Sequence, residues 1–222
     1  MKTGENLFRP AAVIFDMDGL MFDTEKPFIR FWAELGSEFG YNIPQDIVMR
    51  MVGLNNESSR AVMYEEYGED FPFDKMVDKL RLLYKKEREK GIPHKKGLLT
   101  LLDNLTAAKI PMGVATSTRI ATATEMLRMA GVLDRFTAVT GGDEIKKGKP
   151  DPEIFLLAAL RLGAQPSACV GFEDSPAGLA ALHAAGIKSV FIKDLIEPPP
   201  DILSTVWRKC GDLAQAVQLF DI

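Results

Sequence analysis

An α/β fold with a mostly parallel sheet, interrupted near its start by an all-helical segment, follows from three features of the sequence. From about residue 97 onward, short apolar runs alternate with helical patterns. A single apolar run stands apart from them near the N-terminus. Between the two, residues 24 to about 93 place their apolar side chains at helical spacing, with no strand-like run.

The runs read as strands are AAVIF (11–15), IPMGVAT (110–116), FTAVTG (136–141), ACVGF (168–172) and KSVFI (188–192). The patterns LLTLLDNLTAAK, IATATEMLRMAG, PEIFLLAALRLG and PAGLAALHAAG read as helices. The last three stop at Gly131, Gly163 and Gly186, a residue type that readily closes a helix. Apolar strands alternating with helices imply a sheet covered on both faces. In the intervening segment, FIRFWAELGSEFG and VMYEEYG keep helical spacing, and MVDKLRLLYKKEREKG is an amphipathic helix ending at Gly91, just before Pro93. Phe28, Phe31 and Trp32 read as a core stripe, and KKEREK as a solvated helix face. The joins fall near residues 22–24 and 92–97. They divide the chain into an α/β core (1–23 and 97–222) and an inserted helical unit (24–96). EPPPD (197–201) reads as a rigid surface connector to the final helix.

Composition narrows the function. Of 222 residues, 46% are hydrophobic, enough to build a core without disulfide or metal staples. A net charge of −4, with no Lys/Arg stripe interleaved by aromatics, argues against nucleic-acid binding. No stretch is long and apolar enough for a signal peptide, including the opening MKTGENLFRP, or for a membrane span. Cys169 and Cys210 lack metal-ligand spacing, and Cys169 reads as a buried small hydrophobe. His94 and His183 have no partner at ligand spacing. The expectation is a cytoplasmic protein, monomeric, without membrane or nucleic-acid partners.

Acids and hydroxyls follow the strands. AAVIF leads directly into Asp16-Met17-Asp18-Gly19, GVA into Thr116-Ser117-Thr118, and ACVGF into Glu173-Asp174-Ser175. Open parallel sheets bind ligands at the carboxyl ends of their strands, so the three clusters should face one crevice. Four carboxylates gathered there repel one another unless some are protonated or a cation sits among them. Hard oxygen ligands suit magnesium. A phosphate dianion would need that metal, a lysine and neutral donors, which Lys149 and Thr116 provide. Each feature has a plainer reading. Asp16 and Asp18 suit turns or helix caps, one of Thr116, Ser117 and Thr118 is expected to cap the helix starting near Arg119, and Glu173 with Asp174 could cap PAGLAALHAAG. Lys146 and Lys147 compete with Lys149, which its KPDP context favours.

Together DMDGLMFDT (16–24), ATST (115–118), KGKPDPEIF (147–155) and GFEDSPAG (171–178) resemble the motifs of the haloacid dehalogenase-like hydrolase superfamily, in order and spread over nearly the whole chain. More narrowly the chain resembles the branch of β-phosphoglucomutase and small sugar- or nucleotide-phosphate phosphatases, which carry a helical cap soon after the first motif. The resemblance implies a Rossmann-like core with that cap and a Mg2+-dependent phosphatase acting on a small phosphorylated metabolite. In it Asp16 is the nucleophile that forms an aspartyl-phosphate, and Asp18 the general acid and base. Magnesium would be held by Asp16, the Asp18 carbonyl and Asp174, with Glu173 as a further ligand or supporting partner. Thr116, Ser117 and Lys149 would hold the phosphoryl oxygens. Lys26, Asn55, Asn56 and Arg119 are expected near the leaving group. The mutase of this branch has an arginine and a histidine where Asn56 and Phe28 stand here, which weakens a mutase reading; Lys26, Arg50 or Arg60 could substitute. A non-catalytic phosphate-binding protein on the same fold is the alternative of a different class.

Overall fold

β-Branched and aromatic residues with no polar interruption make Ala12–Phe15 (β1) a strand buried on both faces. It forms the middle of a parallel sheet with Met112–Ala115 (β2), Ala138–Thr140 (β3), Cys169–Glu173 (β4), Lys188–Ile192 (β5) and Arg208–Cys210 (β6). Among the described residues, 8–52 and 54–221 of this computed structural model, the order is β3-β2-β1-β4-β5-β6. Every pairing is parallel. The start of MKTGENLFRP lies outside the described residues, and no described helix is long and apolar enough to cross a membrane.

The helices are Glu25–Phe39 (α1), Gln45–Met49 (α2), Asn56–Tyr67 (α3), Phe73–Arg88 (α4), Leu98–Ala107 (α5), Ile120–Met129 (α6), Glu153–Arg161 (α7) and Pro176–Ala184 (α8), followed by the short Pro200–Leu203 (α9) and Leu213–Ala216 (α10). Alternation along β1 sorts side chains to two sides of the sheet. Val13 and Phe15 join Phe172, Leu101 and Leu105 of α5, Leu127 of α6 and Leu213 of α10 in one cluster. Ala12 and Ile14 join Ile154, Phe155 and Ala158 of α7 and Leu182 of α8 in another. Phe15 and Phe172 stack at 5.1 Å across the β1–β4 pair. The glycines at 131, 163 and 186 all take left-handed backbone just past α6, α7 and α8, as expected.

Helices α1–α4 bury a third cluster that includes Phe31, Trp32, Leu35, Met63, Phe73 and Met76. Trp32 stacks on Phe73 at 5.8 Å, so the aromatic stripe is core. The segments on either side of this unit lie together. The Asp23 amide donates to the Pro93 carbonyl (3.1 Å) and the Lys95 amide to the Met21 carbonyl (2.9 Å). Gly97 is wedged against α10, where a side chain would fall 2.1 Å from the Ala214 nitrogen. That end is fixed to the sheet layer.

Two expectations needed correction. Arg208–Cys210 is a strand that no apolar run announced, because an edge strand of three residues, two of them basic, carries no pattern to read. EPPPD is more than a connector to a last helix, since Pro200 and Asp201 open α9, whose chain then continues into β6.

Candidate active site

β1 sits where the sheet order reverses, with β2 on one side and β4 on the other. The chain therefore leaves its carboxyl end into a crevice flanked by the ends of both neighbours. The Asp16 amide still pairs with the Phe172 carbonyl (3.0 Å), which fixes the residue at the sheet edge rather than at a helix cap. The chain then turns back: the Met21 and Phe22 amides donate to the Met17 carbonyl. Gly19, at φ +81°, permits the reversal, and its amide donates to the Phe22 carbonyl and the Thr24 hydroxyl.

Lys149 is 2% exposed, with its ammonium 2.5 Å from Asp16 Oδ1 and also bonded to Glu173 Oε1. It lies 5.0 Å from the centre of the Phe155 ring, which supports it from α7. Lys146 and Lys147 are exposed instead, their amides donating to Glu153 Oε2. The fully buried Glu173 spends its second oxygen, Oε2, on the Asp174 and Ser175 amides and the Ser175 hydroxyl. Ser175 caps α8, accepting from the Gly178 amide at 3.1 Å. A side chain at 178 would meet Glu173 Oε1 at 1.7 Å, so the approach requires glycine. The cap of PAGLAALHAAG is therefore Ser175, while Glu173 ties the same turn to Lys149.

On the other flank, Asp18 Oδ2 accepts from the Thr118 hydroxyl at 2.7 Å and the Thr116 hydroxyl at 3.2 Å. The cap of α6 differs from the expectation of a hydroxyl residue there. Arg119 occupies the N-cap without a side-chain bond, and the Ile120 amide is taken by Asp143 Oδ1 at 2.7 Å. The loop of Ser117 presses on Gly142, where a side chain would fall 2.2 Å from the Ser117 carbonyl.

Charge here is unevenly shared. Asp16, Glu173 and Asp174 are buried together with one ammonium. Burial pushes the Asp16 carboxyl up to about 8, with Glu173 and Asp18 adding to the rise and Lys149 opposing it. For Lys149, burial acts to lower the pKa, but Asp16 and Glu173 outweigh it, and the ammonium is held above its ordinary range. An all-oxygen set carrying excess negative charge fits a hard divalent cation. Among the described residues no three His, Cys, Asp or Glu side chains converge as ligands, so such an ion would draw on main-chain and water oxygens too, as magnesium commonly does.

Of the residues expected at the leaving group, Asn55 lies against the site loop. Its Oδ1 caps α3 by accepting from the Ser58 amide (2.9 Å), while Nδ2 faces Gly148, beside Lys149. Arg119 is exposed and pairs with Asp143, Lys26 pairs with Asp23 at the join, and Asn56 is exposed in the first turn of α3.

Residues 13–192 match the haloacid dehalogenase-like hydrolase family. The chain belongs to that family. The phosphorylated carbohydrates phosphatase of Thermotoga maritima is 30% identical over 180 residues, covering 81% of this chain and 83% of that protein. The β-phosphoglucomutase of Bacillus subtilis is 31% identical over 187 residues, covering 81% of each. A solved β-phosphoglucomutase from Clostridium difficile superposes with a TM-score of 0.80 at 24% identity, over 93% of this chain and 92% of that one. The chain thus stands in the β-phosphoglucomutase-like branch of the haloacid dehalogenase-like hydrolases, as a phosphoric monoester hydrolase.

Two residues already within the motifs have roles that the sequence did not assign. The Ser175 hydroxyl had a readable signal, since Ser before Pro commonly opens a helix. Phe155 beneath the Lys149 ammonium had none, because nothing in its spacing distinguishes it from an ordinary core residue.

Proposed function

We propose that this enzyme is a Mg2+-dependent phosphatase that hydrolyses a small phosphorylated metabolite, a sugar phosphate or nucleotide-like monophosphate, through an aspartyl-phosphate. The observation that carries this reading is the buried Lys149 bridge between Asp16 and Glu173, placed where the sheet order reverses. In the first step an Asp16 carboxylate oxygen bonds to phosphorus as the P–O bond to the leaving group breaks, and Asp18 donates a proton to that oxygen. In the second, Asp18 takes a proton from water as it attacks phosphorus, and the bond to Asp16 breaks to release phosphate. Lys149 and the Thr116–Ser117 turn balance charge on the phosphoryl oxygens. Asp16, the Asp18 carbonyl and Asp174 would hold magnesium, which when bound neutralises phosphoryl charge. Both Glu173 oxygens are occupied by protein donors, which supports a role holding Lys149 rather than ligating metal.

Hydrolysis is favoured over mutation by the state of the basic residues that a second phosphate would need. Lys26 is paired with Asp23, Arg50 with Glu65 and Glu66, Arg60 with Asp74, and Arg119 with Asp143. The helical unit, residues 24–96, is proposed to act as a cap over the core, 1–23 and 97–222, excluding water while substrate is bound. Because Gly97 is wedged against α10, the pivot on the return strand belongs upstream of it, near His94.

The test is phosphate release from a panel of phosphorylated metabolites by wild-type and Asp16→Asn protein. Asp16→Asn should lose at least about a thousandfold in kcat while keeping its melting temperature, and EDTA should inactivate the wild type reversibly. Undiminished turnover by Asp16→Asn would sink the mechanism. Isomerisation of hexose 1-phosphates without phosphate release would favour the mutase.

A further inference from the structure

Among the described residues the Thr118 hydroxyl caps no helix and instead donates to Asp18. It does not cap α6, whose first free amide is taken by Asp143. Its own backbone is pinned on both sides: the Thr118 amide donates to Thr116 Oγ1 (3.1 Å), and its carbonyl accepts from the Gly142 amide (2.9 Å). The side chain so placed makes the shorter of the two hydroxyl bonds to Asp18 Oδ2, 2.7 Å against 3.2 Å from Thr116. At 2.7 Å a hydroxyl–carboxylate bond is in the charge-assisted range and fixes a rotamer as well as a charge.

Thr116 cannot serve both neighbours at once. Its one hydroxyl proton, now donated in a hydrogen bond to Asp18, is the one that a phosphoryl oxygen would claim. Of the two hydroxyl donors to Asp18 Oδ2 among the described residues, Thr118 then remains. We propose that Thr118 is a positioning residue, orienting the Asp18 carboxylate for proton transfer while Thr116 turns to the phosphoryl group. The assignment rests on the phosphatase reading, in which Asp18 is the acid and base. Thr118 does not touch the reacting atoms.

A double-mutant cycle with 4-nitrophenyl phosphate separates this from direct substrate contact, since its weakly basic leaving group keeps Asp18→Asn measurable. Thr118→Val should lower kcat about tenfold or more, a part of what general acid–base catalysis supplies, with KM within about twofold. Thr118→Ser should restore the rate, and Thr118→Val should add nothing in the Asp18→Asn background. Should the valine variant fold poorly, Thr118→Ala replaces it in the same cycle. An equal loss of kcat in both backgrounds, a rise in KM instead of a fall in kcat, or a serine variant as slow as the valine one would overturn the proposal. Wild-type turnover by Asp18→Asn on a sugar phosphate, whose leaving oxygen needs a proton, would instead overturn the phosphatase reading beneath it.

Discussion

At the carboxyl edge of the sheet, Lys149 is 2% exposed and holds two carboxylates that are themselves buried. In the helical unit, Arg60 of α3 pairs with Asp74 of α4 and Arg50, just past α2, with Glu65 of α3, but the Arg50 and Glu65 side chains are 40% and 71% exposed. Side-chain chemistry is nearly equal in the two regions, and the solvent is not. Exposed pairs gain little because water already solvates both charges, and ordering two long side chains costs entropy. A buried trio gains a strong attraction but loses its hydration, so each member depends on the others being present. The helical unit thus carries charge for solubility and local fit, whereas the sheet edge concentrates charge that is costly to leave unpaired and available for chemistry.

The comparison can be broken most directly at Lys149. Lys149→Met leaves Asp16 and Glu173 without their cation and should cost about 3–5 kcal/mol in urea unfolding, with turnover lost as well. A loss no larger than that of an exposed pair would mean the site relaxes and admits water. The second way is through pH, without divalent cations. Burial raises the folded Asp16 carboxyl to about 8, against an ordinary value of 3.8. Between those values the folded state binds more protons than the unfolded one, so the Asp16 contribution to stability falls as pH rises. The melting temperature should follow that slope, Asp16→Asn should flatten it, and Mg2+ should oppose it at the alkaline end. A slope unchanged in Asp16→Asn would assign the effect elsewhere.

A smaller effect is expected at Gly178, where a new Cβ would press on Glu173. Gly178→Ala should destabilise the protein by about 1–3 kcal/mol, the usual cost of overpacking, and should lower kcat through the displaced Lys149. The smallest belongs to the helical unit: Arg50→Ala should change stability by no more than about 1 kcal/mol and leave phosphate release unaltered. A large loss of activity there would mean that Arg50 leaves Glu65 and Glu66 to meet substrate.

The contrast also explains what could be read from the chain. β1, β2 and β4 were legible because strands buried on both faces must be apolar along most of their length, and the helix ends at Gly131, Gly163 and Gly186 because left-handed backbone selects glycine. The clustering of Asp16, Thr116 and Glu173 was legible because parallel strands all end on one side. Arg208–Cys210 was not, since an edge strand need bury only part of itself. Nor was the capping of α6 by Asp143, which arrives from the loop after β3, 23 residues along the chain. Lys26, Arg50, Arg60 and Arg119 were open candidates in sequence because a basic side chain does not announce its partner; their ion pairs are set by which helices face one another.

By itself the sequence determined the parallel α/β core, the helical insertion and the strand ends where the acids, threonines and lysine meet. These depend on local periodicity and on the shared direction of parallel strands. Only the tertiary structure decided that Glu173 holds Lys149, that Gly178 makes room for it, and that Thr118 holds Asp18. Hydrogen bonds between residues 24 and 100 positions apart depend on ångström distances that no local pattern encodes.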